Sequence, residues 1–181
     1  MKIGLSRRSR AFIAKWGGLV LASVLVLPIA VLGGTYLYAS GRVDATTNYV
    51  TQAIYIAGLE VMVQAPEPTS NTTYRLFLGI YNETPDAAQI SIANAKLQMN
   101  DYTFEIIDST GWQDRVAGNS VLTFQVDIII GPDNVPTLSS EPLDVTLKMT
   151  GTMTARARYA FVSKEETRRF NITSTIPLQL P

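Results

Sequence analysis

The segment LDVTLKMTGTMTARARYAF, residues Leu143–Phe161, alternates apolar and polar side chains along almost its whole length. Successive side chains of a β-strand point to opposite faces, so this alternation predicts a strand with one face in a core and the other in water. Nineteen residues are many for one strand. Gly151, near the middle, predicts a bulge or bend at which the strand passes from one sheet to another.

Further β patterns lie on both sides of this segment. Tyr74–Tyr81 is apolar on both faces, which predicts a central strand, and the pair Asn100-Asp101 predicts the tight turn of a hairpin. A polar turn is predicted at Ser163–Glu166. Besides Leu143–Phe161, the predicted strands are Val50–Gln64, Tyr74–Tyr81, Gln89–Met99, Tyr102–Ile107, Val121–Ile130 and Thr167–Ile176.

Together these strands predict the fold class of residues 50–181. About seven alternating strands separated by turns are typical of an all-β, immunoglobulin-like (fibronectin III-like) antiparallel β-sandwich. The sequence has no cysteine, so the core must be stable without disulfides. About 140 residues are enough to bury such a core.

An uncharged segment from Trp16 to Gly41 precedes the β domain. About 20 apolar residues cross the hydrocarbon core of a bilayer as a helix, so this segment predicts one transmembrane α-helix over residues 16–41. Trp16 at one end and Tyr36 and Tyr38 at the other are the aromatic residues expected at the two membrane interfaces. Pro28 is expected to kink the helix.

Charge around this helix predicts its orientation. All five basic residues before Trp16 lie in the tail 1–15, which has no acidic residue. The positive-inside rule then places the N-terminus in the cytoplasm, the helix in the cytoplasmic membrane as a single-pass signal-anchor, and residues 50–181 outside, after a polar stalk at 42–49. A cleaved signal peptide is the alternative, with Ala39 and Gly41 as its small residues, but the apolar run exceeds the 7–15 residues of a signal core.

Composition excludes several kinds of chemistry. Without cysteine or histidine, the chain has no thiolate nucleophile, no Ser-His-Asp triad and no thiolate or imidazole ligand for a metal ion. From Arg42 onward, ten basic and fifteen acidic residues give a net charge of −5, which disfavours nucleic-acid binding. We therefore expect no cofactor and no catalytic residue.

The order of elements resembles a known family. The strand LFLGIY is followed by a turn, Asn82-Glu83-Thr84-Pro85, and an apolar segment ends at a second turn, Met99-Asn100-Asp101; the long alternating strand with a central glycine comes later. This order resembles the water-stress and hypersensitive-response domain of the late-embryogenesis-abundant group 2 proteins. The resemblance covers roughly residues 50–178 and implies a seven-stranded sandwich without a catalytic site, acting in envelope or stress protection.

Three Asn-x-Ser/Thr sequons, at Asn71, Asn82 and Asn171, lie in the predicted external part. They predict N-glycosylation sites, which would fit an archaeal surface or a eukaryotic secretory route. Pro85 lies just after the second sequon and is expected to lower its use. Asn171 falls within a predicted strand, so a glycan there requires that its side chain face solvent.

Four arginines near the end of the chain form a candidate patch for an anionic ligand or a partner. These residues are Arg156, Arg158, Arg168 and Arg169. The alternative is an ordinary solvated sheet face whose charges prevent edge pairing, and the neighbouring Glu165 and Glu166 favour that alternative.

Acidic residues and small residues give two further hypotheses. A calcium cluster of Asp127, Asp133, Glu141 and Asp144 lacks the usual Asp-x-Asp-x-Asp-Gly loop, and no flanking motif identifies a glycosidase-like carboxylate pair. In the predicted anchor, small residues spaced four apart are compatible with a helix–helix contact in a homo-oligomer. Those pairs are Gly18 with Ala22 and Ala30 with Gly34.

The sequence thus gives three functional hypotheses. The first is a non-catalytic, membrane-anchored sandwich acting in cell-envelope or stress protection or in binding. The second is a structural accessory subunit of a surface filament, a surface layer or a larger membrane complex, with protein partners in the envelope. The third is a periplasmic enzyme, which requires a concave site with perturbed carboxylates.

Overall fold

The computed structural model describes residues 7–63, 72–99, 102–108, 110–130 and 143–178. These residues form one helix followed by strands that pair antiparallel in two sheets. The elements are α1 (Arg7–Val50), β1 (Ile54–Val63), β2 (Thr72–Asn82), β3 (Ala88–Met99), β4 (Tyr102–Ile107), β5 (Trp112–Val116), β6 (Ser120–Ile130), β7 (Leu143–Tyr159) and β8 (Val162–Leu178).

One sheet has the order β1-β2-β6 and the other the order β4-β3-β7-β8, with β5 also pairing with β3. The prediction of an antiparallel β-sandwich preceded by one helix is confirmed, with eight described strands instead of about seven. The strand that sequence analysis missed is β5, because it is short and its centre, Gln113-Asp114-Arg115, is polar.

Alternate side chains of the strands build the core between the sheets. Leu76, Leu78 and Ile80 of the central strand β2 are fully buried, as are Leu97 of β3 and Met149 of β7. The predicted central position of β2 is correct, since it lies between β1 and β6. Unbranched methionines fill irregular gaps in such a core.

In the hairpin β7–β8, β7 ends two residues earlier than predicted, whereas β8 is longer than the predicted Thr167–Ile176. Both strands have 17 residues, and their register runs without a break from the pair Leu143–Leu178 to the pair Tyr159–Val162. The turn is Ala160-Phe161, so the predicted polar turn at Ser163–Glu166 is wrong. The polar residues of this segment do not show the alternation typical of a strand. They nevertheless belong to β8, because the inward-facing Lys164 and Glu166 form ion pairs that are described below.

Gly151 does not move β7 from one sheet to the other. The bulge lies opposite it in β3, between Ala93 and Lys96, where Asn94 has a φ of 52°. A Cβ on Gly151 would lie 2.6 Å from Cζ of Phe170 and 3.1 Å from Cα of Ala95. The glycine therefore permits close packing within one sheet, and the predicted change of sheet is wrong.

The helix α1 continues for 44 residues, with Pro28 inside it, and is long and apolar enough to cross a membrane. The polar stalk predicted at 42–49 is helical, and the first strand begins at Ile54 instead of Val50. Most large apolar side chains between Leu19 and Tyr38 are more than half exposed, whereas Ala39 is fully buried. Burial within the sandwich therefore begins inside the helix.

Candidate functional site at the helix–sandwich junction

The last three turns of α1 are part of the sandwich core. Val43 and Val50 are 1% and 0% exposed, and the side chains of Thr46 and Thr47 are fully buried between them. The Thr46 hydroxyl donates to the Arg42 carbonyl at 3.0 Å and the Thr47 hydroxyl to the Val43 carbonyl at 3.1 Å. These bonds back to the preceding turn satisfy the hydroxyls inside an apolar site. We call residues 39–50 together with the side chains they contact the junction.

Arg42 holds one side of the junction. Its Nε and Nη2 donate to the two carboxylate oxygens of Asp86 at 2.7 and 2.8 Å. The guanidinium carbon also lies 4.3 Å from the centre of the Tyr159 ring and 5.8 Å from that of Tyr38. Bidentate pairing and stacking on aromatic rings are the two interactions that a guanidinium makes best. A charge at the end of an apolar segment is thereby fixed to the loop after β2.

Asn82, the last residue of β2, bonds to this loop and is fully buried. Its Nδ2 donates to the carbonyls of Asp86 and Ala117 at 2.8 and 2.9 Å. Its Oδ1 accepts from the amide of Thr84 at 3.0 Å and from the Thr84 hydroxyl at 2.7 Å. Thr84 in turn lies 3.1 Å, hydroxyl to hydroxyl, from Thr46 of α1. All hydrogen-bonding positions of the Asn82 amide are therefore in use.

The turn before β6 packs so closely against this loop that only glycine fits at position 118 without displacing the backbone. A Cβ on Gly118 would lie 2.2 Å from the carbonyl oxygen of Pro85, which is a backbone atom that cannot rotate away. The next residue, Asn119, has a φ of 51° and donates its amide to the Thr84 carbonyl at 2.9 Å.

We expect Gly118→Ala to lower the free energy of unfolding by about 1–3 kcal/mol, because an added methyl must displace backbone in a packed site. The matched control is Gly41→Ala. Gly41 is an exposed helical residue where an added Cβ would meet no described atom of another element within 4 Å, and the change there is expected to be neutral or stabilising. Denaturant unfolding in detergent micelles measures both, and equal midpoints for the two variants would contradict this account.

Alternating inward side chains of β8 form the other side of the junction. Lys164 Nζ lies 2.8 Å from Asp44 Oδ1 of α1 and 3.4 Å from Oε2 of Glu166, the latter an ion pair without hydrogen-bond geometry. Arg168 binds Oε1 of Glu166 with Nε at 2.7 Å and donates through Nη2 to Oδ1 of Asn48 at 2.5 Å. This charged row explains why polar residues occupy the inner face of a strand.

The pKa of Glu166 is lowered, chiefly by its hydrogen bond with Arg168, and that of Lys164 is raised, chiefly by Asp44. A carboxylate with a lowered folded-state pKa stabilises the fold above its unfolded-state pKa, and this contribution is lost as the pH falls through the folded-state value. We therefore expect Tm to fall as the pH is lowered below about 4. The lowered pKa of Glu166 is expected to account for part of this decrease in Tm.

The variant Glu166→Gln isolates this part, because it cannot titrate. Its Tm is expected to lie below that of the native chain at pH 7, with the difference shrinking as the pH falls through the lowered folded-state pKa of Glu166 and this residue becomes protonated in the native chain. A difference that is constant with pH would show that the Glu166 charge contributes nothing. Thermal melts by circular dichroism across this range provide the measurement.

The four predicted arginines do not form one patch. Arg156, Arg158 and Arg169 are exposed on the outer face of the hairpin, whereas Arg168 points to the junction. In register, Arg156 pairs with Glu165 and with Gln89 of β3. Sequence analysis missed Arg115, which pairs with Gln89 from the other side because the unpredicted β5 places it there.

These outer side chains surround a shallow polar depression of about 610 Å³. Its lining includes Gln89, Ser91, Gln113, Arg115, Arg156 and Glu165. A second hollow, of about 500 Å³, lies beside the end of α1 and is lined by Tyr49, Tyr55, Tyr81 and Val121, with Tyr49 and Tyr81 in edge contact at 6.4 Å between ring centres. The first hollow is suited to polar ligands and the second to apolar ones.

The structure separates the three sequons. The folded domain leaves no room for a glycan on Asn82, because its amide is fully buried and bonded on all sides. Asn171 is exposed on β8, so its side chain faces solvent as a glycan there requires. Asn71 lies outside the described residues.

The proposed acidic cluster is divided between two sheets. Asp127 of β6 accepts from Arg75 at 2.8 and 3.0 Å, while Asp144 belongs to β7 in the other sheet. Asp133 and Glu141 lie outside the described residues. Within the described ranges, no three carboxylates come close enough to hold a metal ion.

The chain shows little similarity to known proteins. No protein-family model and no curated protein matches the sequence. A crystal structure described only as a protein from Archaeoglobus fulgidus is 12% identical, and the match covers 69% of this chain and 100% of that one with a TM-score of 0.29. A likeness of this size carries no argument about fold or function, and the late-embryogenesis-abundant resemblance stays a prediction.

Proposed function

We propose that this chain is a non-catalytic, single-pass membrane protein that holds its β-sandwich directly against the outer surface of the cytoplasmic membrane. There the sandwich acts in envelope protection or in binding. The observation that carries the proposal is the continuity of α1: one helix contains the apolar segment and also contributes to the sandwich core.

Helix geometry supports a close approach to the membrane. A span of about 20 residues that begins at Gly17 ends at Tyr36. Ala39, three residues later, is already fully buried in the sandwich. Three residues of helix rise about 4.5 Å, less than one turn. With no flexible linker in between, both the height and the orientation of the sandwich follow from the helix.

The charge distribution supports the outward orientation, and labelling can test it. The chain has no cysteine, so a single cysteine can be introduced without competing thiols. A cysteine at exposed Thr123 is expected to react with a membrane-impermeant maleimide on intact cells, whereas one at Lys2 should react only after permeabilisation. The reverse pattern would place the sandwich in the cytoplasm and overturn the proposal.

The chemistry of the described surface supports a non-catalytic role. The junction charges are committed to one another: Arg42 with Asp86, and Lys164 and Arg168 with Glu166. The outer face of the larger sheet is instead polar and accessible, and its depression beside Arg115 and Arg156 is where we place binding. The stress-protection part of the proposal rests on the family resemblance.

One observation favours the alternative, an accessory subunit of an envelope assembly. Within the described residues, β8 pairs only with β7, so a 17-residue strand has one free edge for another chain. Extraction of native membranes with mild detergent, followed by mass analysis of co-purifying proteins, separates the two. A stoichiometric partner set would establish the subunit role, and a lone chain or small homo-oligomer would favour the autonomous one.

The stress-protection role has its own test. Cells that lack the protein are expected to survive drying or hyperosmotic shock less well than cells with the native chain. Rescue by the native gene and failure of rescue by an Arg115→Ala, Arg156→Ala double variant would place that role at the polar depression. Equal survival with and without the protein would remove the stress-protection role.

A further inference from the structure

The turn of the β7–β8 hairpin lies beside the end of the apolar part of α1. The rings of Phe161 and Tyr36 stack with centres 6.3 Å apart and planes at 21°. Two residues further along α1, Tyr38 meets Tyr159 edge to face with ring centres 6.0 Å apart. The hairpin tip and the helix therefore form a single aromatic surface.

The chemistry of this tip is unusual for a turn in water. Two-residue hairpin turns favour Asn, Asp and Gly, but here the turn is Ala160-Phe161. Ala160 has a φ of 52°, a conformation that costs a non-glycine residue about 1–2 kcal/mol. Phe161 is 60% exposed despite its contact with Tyr36. A strained apolar turn with an exposed aromatic ring is better suited to lipid than to water.

The position of the tip relative to the helix sets its depth. Tyr36 is the residue at which a span of about 20 residues from Gly17 ends, so it lies at the boundary between hydrocarbon and headgroups. Phe161 stacks on that residue and must lie at nearly the same depth. The exposed Arg158, whose Nε is 3.5 Å from the Ala160 carbonyl, is placed at headgroup height, where phosphates attract a guanidinium.

We propose that the β7–β8 tip is a second membrane contact, with Phe161 seated in the interface of the bilayer beside Tyr36. This inference rests on the proposed single-pass anchor. One helix alone permits the sandwich to tilt with the helix axis and to rotate about it. A second contact away from that axis fixes both, so the polar outer face of the larger sheet keeps a defined orientation to the membrane.

Electron paramagnetic resonance of a nitroxide label measures this depth in the full chain. Labels attached to Ser163→Cys, Leu27→Cys and Thr175→Cys are compared in phosphatidylcholine–phosphatidylglycerol vesicles by their relative accessibility to oxygen and to a water-soluble nickel chelate. Ser163 adjoins the tip and leaves Phe161 intact, Leu27 is an exposed helical residue near the middle of the span that begins at Gly17, and exposed Thr175 lies about 45 Å from the tip along the same strand. All three are made in the cysteine-free chain.

The expected result is an interfacial depth for the Ser163 label, a greater depth for the Leu27 label and full water exposure for the Thr175 label. Adding Phe161→Ser is expected to lower the equilibrium constant for seating the tip in the membrane roughly tenfold, since burying a Phe side chain changes an equilibrium constant by about that factor or more. The depth of the Leu27 label should then be unchanged.

Two outcomes overturn the inference, and they are distinguishable. If the Leu27 label is deep but the Ser163 label is as exposed to water as the Thr175 label, the anchor stands and the second contact fails. If the Leu27 label is itself exposed to water, the anchor and the contact both fail. A Ser163 label that does not respond to Phe161→Ser would show that Phe161 does not hold the tip in the membrane.

Discussion

A chain that begins at Thr51 is expected to be largely unfolded, whereas one that begins at Ala39 folds. Both chains lack the apolar segment and keep every strand, so they differ only in residues 39–50. Removing these residues takes Val43 and Val50 from the core, where each is worth about 1.5–3 kcal/mol of burial. The ion pair of Arg42 with Asp86 is lost as well. Since whole domains are stable by about 5–15 kcal/mol, this loss is comparable to the total.

Circular dichroism and denaturant unfolding of the two shortened chains measure the difference. A cooperative transition with the same midpoint for both would show that the end of α1 only rests on the sandwich. A single-residue version uses the full chain in detergent and compares Val43→Asp with Ala45→Asp. Val43 is buried and Ala45 exposed on the same helix, so only the first places a carboxylate in the core.

Asn82→Asp is expected to lower the free energy of unfolding by about 3–5 kcal/mol, the range found when a buried polar network loses its partners. The change keeps the shape of the side chain but replaces the donating Nδ2 by an oxygen. The carbonyls of Asp86 and Ala117 then lose their donor and face a carboxylate instead. Because Thr84 links this amide to Thr46, the loss should also loosen the junction.

The matched control for this variant is Asn171→Asp, the same chemical change at an exposed position on β8. Exposed substitutions of this kind usually alter stability by no more than about 0.5 kcal/mol. Chemical unfolding of both full-length variants gives the comparison. Similar midpoints would mean that the bonds of Asn82 are replaced by water in solution and that it does not hold the junction together.

Both predictions test whether the end of α1 and the β-sandwich share one core. A flexible stalk would let the sandwich move independently of the membrane helix. A shared core makes the helix end and the strands fold together, so that rotation or tilt of the helix reaches the sandwich directly. Substitutions in the junction are therefore expected to alter the stability of the β-sandwich and its orientation relative to α1 together.

Much of the fold was predictable from local patterns. The alternation in Leu143–Tyr159 and Val121–Ile130 defined strands because burial of one sheet face requires apolar side chains at every second position. The uncharged segment from Trp16 indicated a helix long and apolar enough to cross a membrane, because hydrocarbon excludes charge along its whole width. Both patterns depend only on whether a side chain faces water, the core or lipid. They can therefore be recognised without knowing which elements pack against each other.

The candidate sites were less predictable, because a side chain's role there depends on its partners. Asn82 was predicted to carry a glycan but is a buried bonding centre, and Arg168 was grouped with outward arginines although it faces α1. Arg115 was overlooked because its strand is too short to show a pattern. In each case the sequence pattern indicated the local structure around the residue but not which element packs against its side chain.

The sequence by itself determined an apolar helix, an antiparallel β-sandwich and the absence of histidine and cysteine chemistry, since composition and periodicity follow from solvent exposure alone. Only the tertiary structure decided that residues 42–49 are helix and not stalk. The segment is polar, yet one face of its helix is buried. The hydroxyls of Thr46 and Thr47 donate to carbonyls of the preceding helical turn, and Arg42 and Asp44 form ion pairs with a distant loop and a distant strand. Contacts between residues far apart in the chain leave no periodic trace in either segment.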